Sequence, residues 1–101
     1  MLENERLRAS FLDYGVRLSR LDVRMADGEW RNVVYGFDSA TDYLSDTASV
    51  GAVVGRYANR IRRGHFDLPT EAVQLTINDG RNHLHGGPGG FGQCWWEVEL
   101  C

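Results

Sequence analysis

Cysteine and proline are scarce in this sequence of 101 residues, which contains two of each. Small secreted domains that rely on disulfides are dense in cysteine, and Cys94 and Cys101 form no such framework. We therefore expect reduced thiols. No apolar run approaches the roughly 18 residues of a membrane span, and the N-terminal residues lack the apolar centre of a signal peptide. The sequence predicts a cytoplasmic protein that does not bind a membrane.

An excess of positive charge is also absent. The formal net charge is −3, so the chain has no global field that would attract nucleic acid, and we predict no nucleic-acid partner. A content of 43% hydrophobic and 25% charged residues is typical of a globular domain. No linker or repeat divides the chain. Residues 1–101 are therefore predicted to form one domain or a part of one.

Hydrophobic residues recur with a period of two, which indicates β-strands. The pattern runs from Leu12 to Leu18 and continues at Leu21 after a three-residue step, which predicts a bulge near Ser19 and Arg20. Turn signals stand at Asp27-Gly28, Pro69-Thr70 and Asn78-Asp79-Gly80. We expect a hairpin at the first and a meander of short antiparallel strands after Gly64.

Two further segments carry predictions of secondary structure. Residues 38–46 break the alternation and predict a short helix or loop, capped by Asp38 or Ser39. Residues 95–100 alternate again and predict a half-buried strand, with Trp95 and Trp96 assigned to core packing rather than to sugar stacking. The chain stops inside this strand, so we expect it to be an incomplete, N-terminal part of a larger fold.

The stretch NDGRNHLHGG, residues 78–87, raises three alternatives for its two histidines: a metal site, a group that binds a substrate, or polar residues of a strand. A metal site needs a third ligand, and no supporting motif supplies one, so we predict no metal and no other cofactor. His83 is assigned to a structural role. His85 precedes Gly86-Gly87, where the missing side chains allow a close approach and leave one face of the imidazole open.

The segment GRYANRIRRG, residues 55–64, contains four arginines. Arg62 and Arg63 flank a turn and are expected to be solvated. Arg56 and Arg60 offer rigid forks of hydrogen-bond donors, and Asn59 adds a donor and an acceptor, which together suit a neutral polyol. No G-x-S-x-G motif or phosphate-loop motif is present.

Taken together, GRYANRI, NHLHGG and GGFGQCWW, in this order, resemble the aldose 1-epimerase (galactose mutarotase) family. The resemblance covers essentially the whole chain. It implies an all-β fold, an antiparallel β-sandwich that interconverts the α and β anomers of hexoses such as galactose and glucose. In that family a glutamate takes the proton of the anomeric hydroxyl and a histidine protonates the ring oxygen.

Residue by residue, the resemblance assigns Asn59, Arg60 and His85 to the binding of the sugar. The family's acid, base and sugar-holding aspartate lie in later motifs that these residues do not contain, so no catalytic residue is assigned here. We expect the 101 residues alone to have little or no activity. A sugar-binding or interaction module without catalysis remains the alternative.

Overall fold

Eight short strands supply most of the regular structure of residues 1–99, the part of the chain that this computed structural model describes. They are β1 (Leu2–Glu3), β2 (Leu7–Leu12), β3 (Arg17–Arg24), β4 (Trp30–Asn32), β5 (Arg60–Ile61), β6 (His65–Asp67), β7 (Ala72–Gln74) and β8 (His83–Leu84). One antiparallel sheet has the order β1-β2-β3-β4, and β5 pairs with β8 and β6 with β7. Three short 3₁₀ helices, Ala40–Leu44, Arg62–Gly64 and Phe91–Gln93, complete the structure. The described residues contain no α-helix, which confirms the all-β class.

The predicted bulge lies in the hairpin of β2 and β3. Ser10 pairs with Arg20 and Phe11 with Leu18, so Ser19 is the extra residue of the bulged strand. The Ser19 hydroxyl donates a hydrogen bond to the Ser10 carbonyl at 3.1 Å. The bulge keeps the hydrophobic residues of β3 on a constant face of the sheet despite the three-residue step.

The alternation from Leu12 to Leu18 does not represent one strand, as the sequence suggested. β2 ends at Leu12 and β3 begins at Arg17, and the four residues between them reverse the chain. Gly15 adopts a φ of 69°, and a side chain there would lie 2.4 Å from the Gly92 carbonyl oxygen. The hydrophobic period of two continues through residues 13–16, although these residues form a turn and not a strand. The close contact of Gly15 with the distant Gly92 fixes the reversal.

The turn signals predicted their hairpins correctly. β3 and β4 are joined by residues 25–29, where the Met25 amide donates to the Glu29 carbonyl at 2.8 Å. Residues 68–71 join β6 to β7 around Pro69-Thr70. Asp79 pairs with Asn82 across the Asn78-Asp79-Gly80 turn. The short helix Ala40–Leu44 is capped by Ser39, whose hydroxyl accepts a hydrogen bond from the Thr41 amide.

The meander predicted after Gly64 is only partly correct. β6 and β7 form a local hairpin, but β8 pairs with β5 and not with β7, and Arg60 lies opposite Leu84. This pairing joins segments that are separated by the whole β6–β7 hairpin. It brings the arginine-rich segment and the histidine segment into contact.

The strand predicted for residues 95–100 is wrong over its described part, since no strand is formed by residues 95–99, and Leu100 lies outside the described residues. Trp95 forms one isolated bridge with Tyr14, and the residue is 68% exposed. Trp96 is 37% exposed and packs edge-on against Phe91. Core packing of these tryptophans is therefore also not found, because no strand of residues 1–99 covers them.

The described residues form an elongated body rather than a closed core. The radius of gyration is 17.1 Å, against about 13 Å for a compact domain of 100 residues. Tyr43 is the one large hydrophobic residue of the described part that is buried, at 1% exposure. Most of the apolar faces of the sheets are therefore not covered by residues 1–99.

A buried ion pair stabilises the junction between β3 and the loops beside it. The Arg17 guanidinium contacts the Asp46 carboxylate, and both side chains are almost fully buried. Arg17 also donates hydrogen bonds to the carbonyls of Val50, at 3.0 Å, and Gly92, at 3.2 Å. Burial alone would raise the pKa of Asp46, but hydrogen bonds from the Ala48 amide and from Arg17 outweigh it and lower that pKa below its usual value.

Candidate functional site

Asn59 and His85 are joined by two hydrogen bonds at the end of the β5–β8 pairing. The His85 amide donates to the Asn59 carbonyl at 3.1 Å, and the Asn59 amide donates to Nδ1 of the His85 imidazole at 2.9 Å. The first bond continues the strand pairing by one residue. The second fixes the imidazole itself, so the ring is held by the backbone of the segment that carries Asn59 and Arg60.

The same two residues have unusual backbone conformations. Asn59 has a φ of 66° and His85 a φ of 55°, in the left-handed region that residues other than glycine rarely occupy. Such conformations persist where the surrounding structure enforces them, and they cluster at functional sites. Here the reciprocal hydrogen bonds provide that enforcement. Two of the three predicted sugar-binding residues are thus among the five non-glycine residues of the described chain that have a positive φ.

The bond to Nδ1 determines the tautomer of His85. Because Nδ1 accepts a hydrogen bond from an amide, it carries no proton, and the neutral ring must carry its proton on Nε2. His85 is half-buried. Its Nε2–H group is therefore a donor of fixed orientation, suited to a hydroxyl or carbonyl oxygen of a ligand.

Arg60, the third predicted residue, lies beside this pair. Its Nε donates to Oδ2 of Asp79 at 2.6 Å, and its Nη1 donates to Oδ1 of Asn59 at 3.3 Å. Asn59, Arg60 and His85 therefore form one connected group, which we call the Asn59–Arg60–His85 cluster. Sequence reasoning missed Asp79, because the Asn-Asp-Gly pattern identified it only as a turn residue. Its role depends on the non-local β5–β8 pairing.

His83 has the structural role that the sequence predicted. The residue is 5% exposed, and Nδ1 of its ring lies 2.7 Å from the Thr76 carbonyl oxygen. β8 ends at Leu84, so the alternation of a strand does not extend to His85, and the two imidazoles have different partners. Among residues 1–99, no cluster of three or more His, Cys, Asp or Glu side chains is arranged to hold a metal ion.

Gly86 and Gly87 allow close approaches, but the neighbours that approach are parts of the protein. A side chain at Gly86 would lie 1.7 Å from the Gly55 carbonyl oxygen, and one at Gly87 would lie 2.7 Å from the His83 ring. The prediction of a close approach is confirmed, since the Gly55 carbonyl approaches Gly86 and the His83 ring approaches Gly87. The open face expected for the His85 imidazole stays a prediction. These glycines therefore allow the close packing that sets the path of the chain beside His85, and Gly86 also lines a neighbouring cavity.

The remaining residues of the arginine-rich segment are separate from this cluster. Arg62 and Arg63 are exposed, as predicted. Arg56 stacks on the Phe91 ring at 5.3 Å from its centroid. Both Arg56 and Phe91 line a cavity of about 910 Å³ that is mostly apolar and reaches Arg60, but not Asn59 or His85. This cavity is thus lined by one member of the cluster, Arg60, and not by the other two.

Comparison with known proteins identifies the family. The family model described as Aldose 1-epimerase matches residues 1–100. The chain belongs to the aldose 1-epimerase family. The galactose mutarotase of Bos taurus is 41% identical over 95 residues, which are 94% of this chain and 28% of that protein. The aldose 1-epimerase of Escherichia coli K12 is 35% identical with the same two coverages. The chain spans about 28% of the length of these relatives.

Solved structures give the same result for the fold. The GalM/aldose epimerase homologue from C. elegans superimposes with a TM-score of 0.88 at 36% identity, over 97% of this chain and 30% of that one. The galactose 1-epimerase of Lactobacillus acidophilus gives a TM-score of 0.76 at 33% identity, over 95% and 27% of the two chains. The strands of this aldose 1-epimerase family member therefore have the arrangement that the resemblance implied. No helix of the described residues is long and apolar enough to span a bilayer.

Proposed function

We propose that this chain supplies part of the sugar site of an aldose 1-epimerase that interconverts the α and β anomers of hexoses such as galactose and glucose. Membership of the family supports the reaction, and the Asn59–Arg60–His85 cluster supports the sugar contact. A cytoplasmic location is retained as a prediction from the sequence.

The observation that carries the proposal is the fixed imidazole of His85. Its Nδ1 is occupied by the Asn59 amide, so its Nε2–H can donate to a sugar oxygen without reorienting. The Arg60 guanidinium and the Asn59 amide group are held within the same cluster and supply further donors and an acceptor. Several donors with fixed directions suit the hydroxyls of a hexose, and none requires a charged ligand.

The proposed reaction moves two protons. A base removes the proton of the anomeric hydroxyl while an acid protonates the ring oxygen; the bond between the anomeric carbon and the ring oxygen breaks, and an aldehyde forms. Rotation of the aldehyde and the reverse proton transfers close the ring on either face. Asn59, Arg60 and His85 bind and orient the sugar in this proposal. The acid and the base are assigned to segments outside the part of the family that this chain matches.

Polarimetry tests the proposal directly. The protein expressed from its full reading frame is added to freshly dissolved α-D-galactose or α-D-glucose, and the change in optical rotation is compared with that in buffer. We expect acceleration by the wild type and a loss of about tenfold or more in kcat/KM for His85→Asn, which removes a positioned donor. His65→Asn is the matched control, since His65 is an exposed histidine of β6. A change in optical rotation that is no faster with the protein than in buffer would contradict the proposal.

The alternative function is sugar binding without catalysis. It is favoured by the connection of Asn59, Arg60 and His85 into one cluster of hydrogen-bonding groups, none of which is assigned as the acid or the base. Titration calorimetry on the same protein distinguishes the two functions. Binding of galactose that is lost in His85→Asn, together with no acceleration of the optical change, would establish the alternative.

A further inference from the structure

Arg60 is held by an ion pair that the sugar contact does not itself require. Its Nε donates to Oδ2 of Asp79 at 2.6 Å, while the two side chains remain 52% and 34% exposed. Among the arginines of residues 55–64, Arg60 is the one that pairs with a carboxylate within the described chain. The guanidinium is a planar fork, so a bond at Nε fixes the plane in which its other donors lie.

Asp79 is itself fixed in position. Its carbonyl accepts a hydrogen bond from the Asn82 amide at 2.8 Å, and its own amide donates to the Asn82 carbonyl at 3.0 Å. The neighbouring Asn78 side chain accepts from the Leu84 amide at 2.7 Å and donates to the Leu84 carbonyl at 3.0 Å. The turn of residues 78–82 is therefore attached to the strand that leads into His85.

This arrangement links the orientation of Arg60 to the position of His85. A guanidinium has five N–H groups, of which one contacts Asp79 and one contacts Asn59, so three remain for a ligand. Because the turn that holds Arg60 also holds β8, those donors are kept at a constant distance from the imidazole. An arginine without the carboxylate would sample many rotamers of its long side chain.

We propose that Asp79 is a positioning residue: its carboxylate orients the Arg60 guanidinium toward the sugar and so contributes to sugar affinity without touching the sugar. The inference rests on the proposed mutarotase function. It predicts that Asp79 acts only through Arg60, which a merely structural role in the turn would not do.

The test is a double-mutant cycle in the protein expressed from its full reading frame. The variants are Asp79→Ala, Asp79→Asn, Arg60→Ala and the double variant Arg60→Ala with Asp79→Ala. Asp27→Ala is the control, because Asp27 also pairs with an arginine, Arg31, at 3.1 Å, but on the β3–β4 hairpin. KM and kcat for mutarotation of galactose are measured by polarimetry. The Arg60 Nε–H signal is followed by ¹⁵N NMR and assigned by its absence in Arg60→Ala.

We expect Asp79→Ala to raise KM about tenfold and to change kcat by less than about twofold. This is the pattern for the loss of an interaction that stabilises the bound substrate and the transition state equally. Asp79→Asn should restore most of the affinity, since its amide oxygen can still accept from Nε. In the Arg60→Ala background, Asp79→Ala should have no further effect on KM. The Nε–H signal should be protected from exchange in the wild type and in Asp79→Asn, and lost in Asp79→Ala.

The outcomes separate the two proposals. Normal mutarotation with an unchanged KM in Asp79→Ala, or an effect of Asp79→Ala that persists without Arg60, overturns the positioning role and leaves the function intact. An unprotected Nε–H signal in the wild type overturns the positioning role as well. Absence of mutarotation in the wild type overturns the function, and the positioning role with it, even where the NMR signal is protected.

Discussion

The imidazole of His85 accepts a hydrogen bond at Nδ1 from the backbone amide of Asn59, 2.9 Å away. The donor is a main-chain group, so this contact does not depend on the side chain of Asn59. It also connects two residues that are 26 positions apart. The orientation of the His85 imidazole, which is predicted to bind the sugar, is therefore set by the backbone of the segment that carries Asn59.

The first prediction concerns the tautomer of His85. At a pH where the ring is neutral, we expect the ¹⁵N spectrum to show a protonated Nε2 and an unprotonated, hydrogen-bonded Nδ1. His65 lacks such an amide donor to its ring in the described structure, so it serves as the internal comparison. A protonated Nδ1 in the neutral ring of His85 would contradict the geometry of the cluster.

The second prediction separates the backbone of Asn59 from its side chain. Asn59 has a φ of 66°, which glycine adopts without strain, so Asn59→Gly should preserve the chain path. The His85 tautomer should not change, because the donor is the backbone amide. Galactose affinity, measured by calorimetry, should fall about fivefold to tenfold, since a side-chain hydrogen bond is worth about 1 kcal/mol. Unchanged affinity would remove Asn59 from the proposed sugar site.

The third prediction uses two glycines with nearly equal backbone angles. Gly86 has a φ of 91° and Gly28 a φ of 88°, but a side chain at Gly86 would lie 1.7 Å from the Gly55 carbonyl oxygen, whereas nothing lies within 4 Å at Gly28. Gly28→Ala should cost about 1–2 kcal/mol of unfolding free energy from the left-handed conformation alone. Gly86→Ala should cost more than about 3 kcal/mol, because backbone must also move. Denaturant unfolding of both variants measures the difference, and equal costs would show that the Gly55 contact is not formed.

Local sequence signals predicted those parts of the fold that depend on neighbouring residues. The turn at Asn78-Asp79-Gly80, the bulge at Ser19 and the cap at Ser39 all follow from chemistry within a few positions of the chain. The family motifs similarly identified Asn59, Arg60 and His85, and the structure places them in one cluster. Their contact with sugar stays a prediction.

The features that sequence reasoning missed depend on contacts between distant segments. The reversal at Gly15 is fixed by Gly92, and Asp79 reaches Arg60 only because β8 pairs with β5 and not with β7. Alternation at Trp95 and Trp96 predicted a strand, but a strand needs a partner over several residues, and within residues 1–99 Trp95 has one bridge with Tyr14. A period of two describes which residues suit a sheet, whereas pairing decides where a sheet forms.

The last prediction concerns acid stability and the Asp46 carboxylate. The pKa of Asp46 is lower in the folded protein than in the unfolded chain, because hydrogen bonds from the Ala48 amide and from Arg17 outweigh the effect of burial. A lowered pKa adds stability that is fully present above the unfolded value of about 3.9 and is lost as the pH falls through the folded value. Asp46→Asn should therefore make the stability less dependent on pH in the acid range.

At neutral pH the same variant should be strongly destabilised, by about 3–5 kcal/mol, because it leaves the buried Arg17 guanidinium without a counter-charge. Asp27→Asn is the control, since its pair with Arg31 is exposed and worth about 1 kcal/mol or less. Urea unfolding of both variants from pH 7 to pH 3 tests the prediction. If the difference between Asp46→Asn and wild type did not shrink as the pH fell, the carboxylate would not be the charged partner of Arg17 in the folded protein.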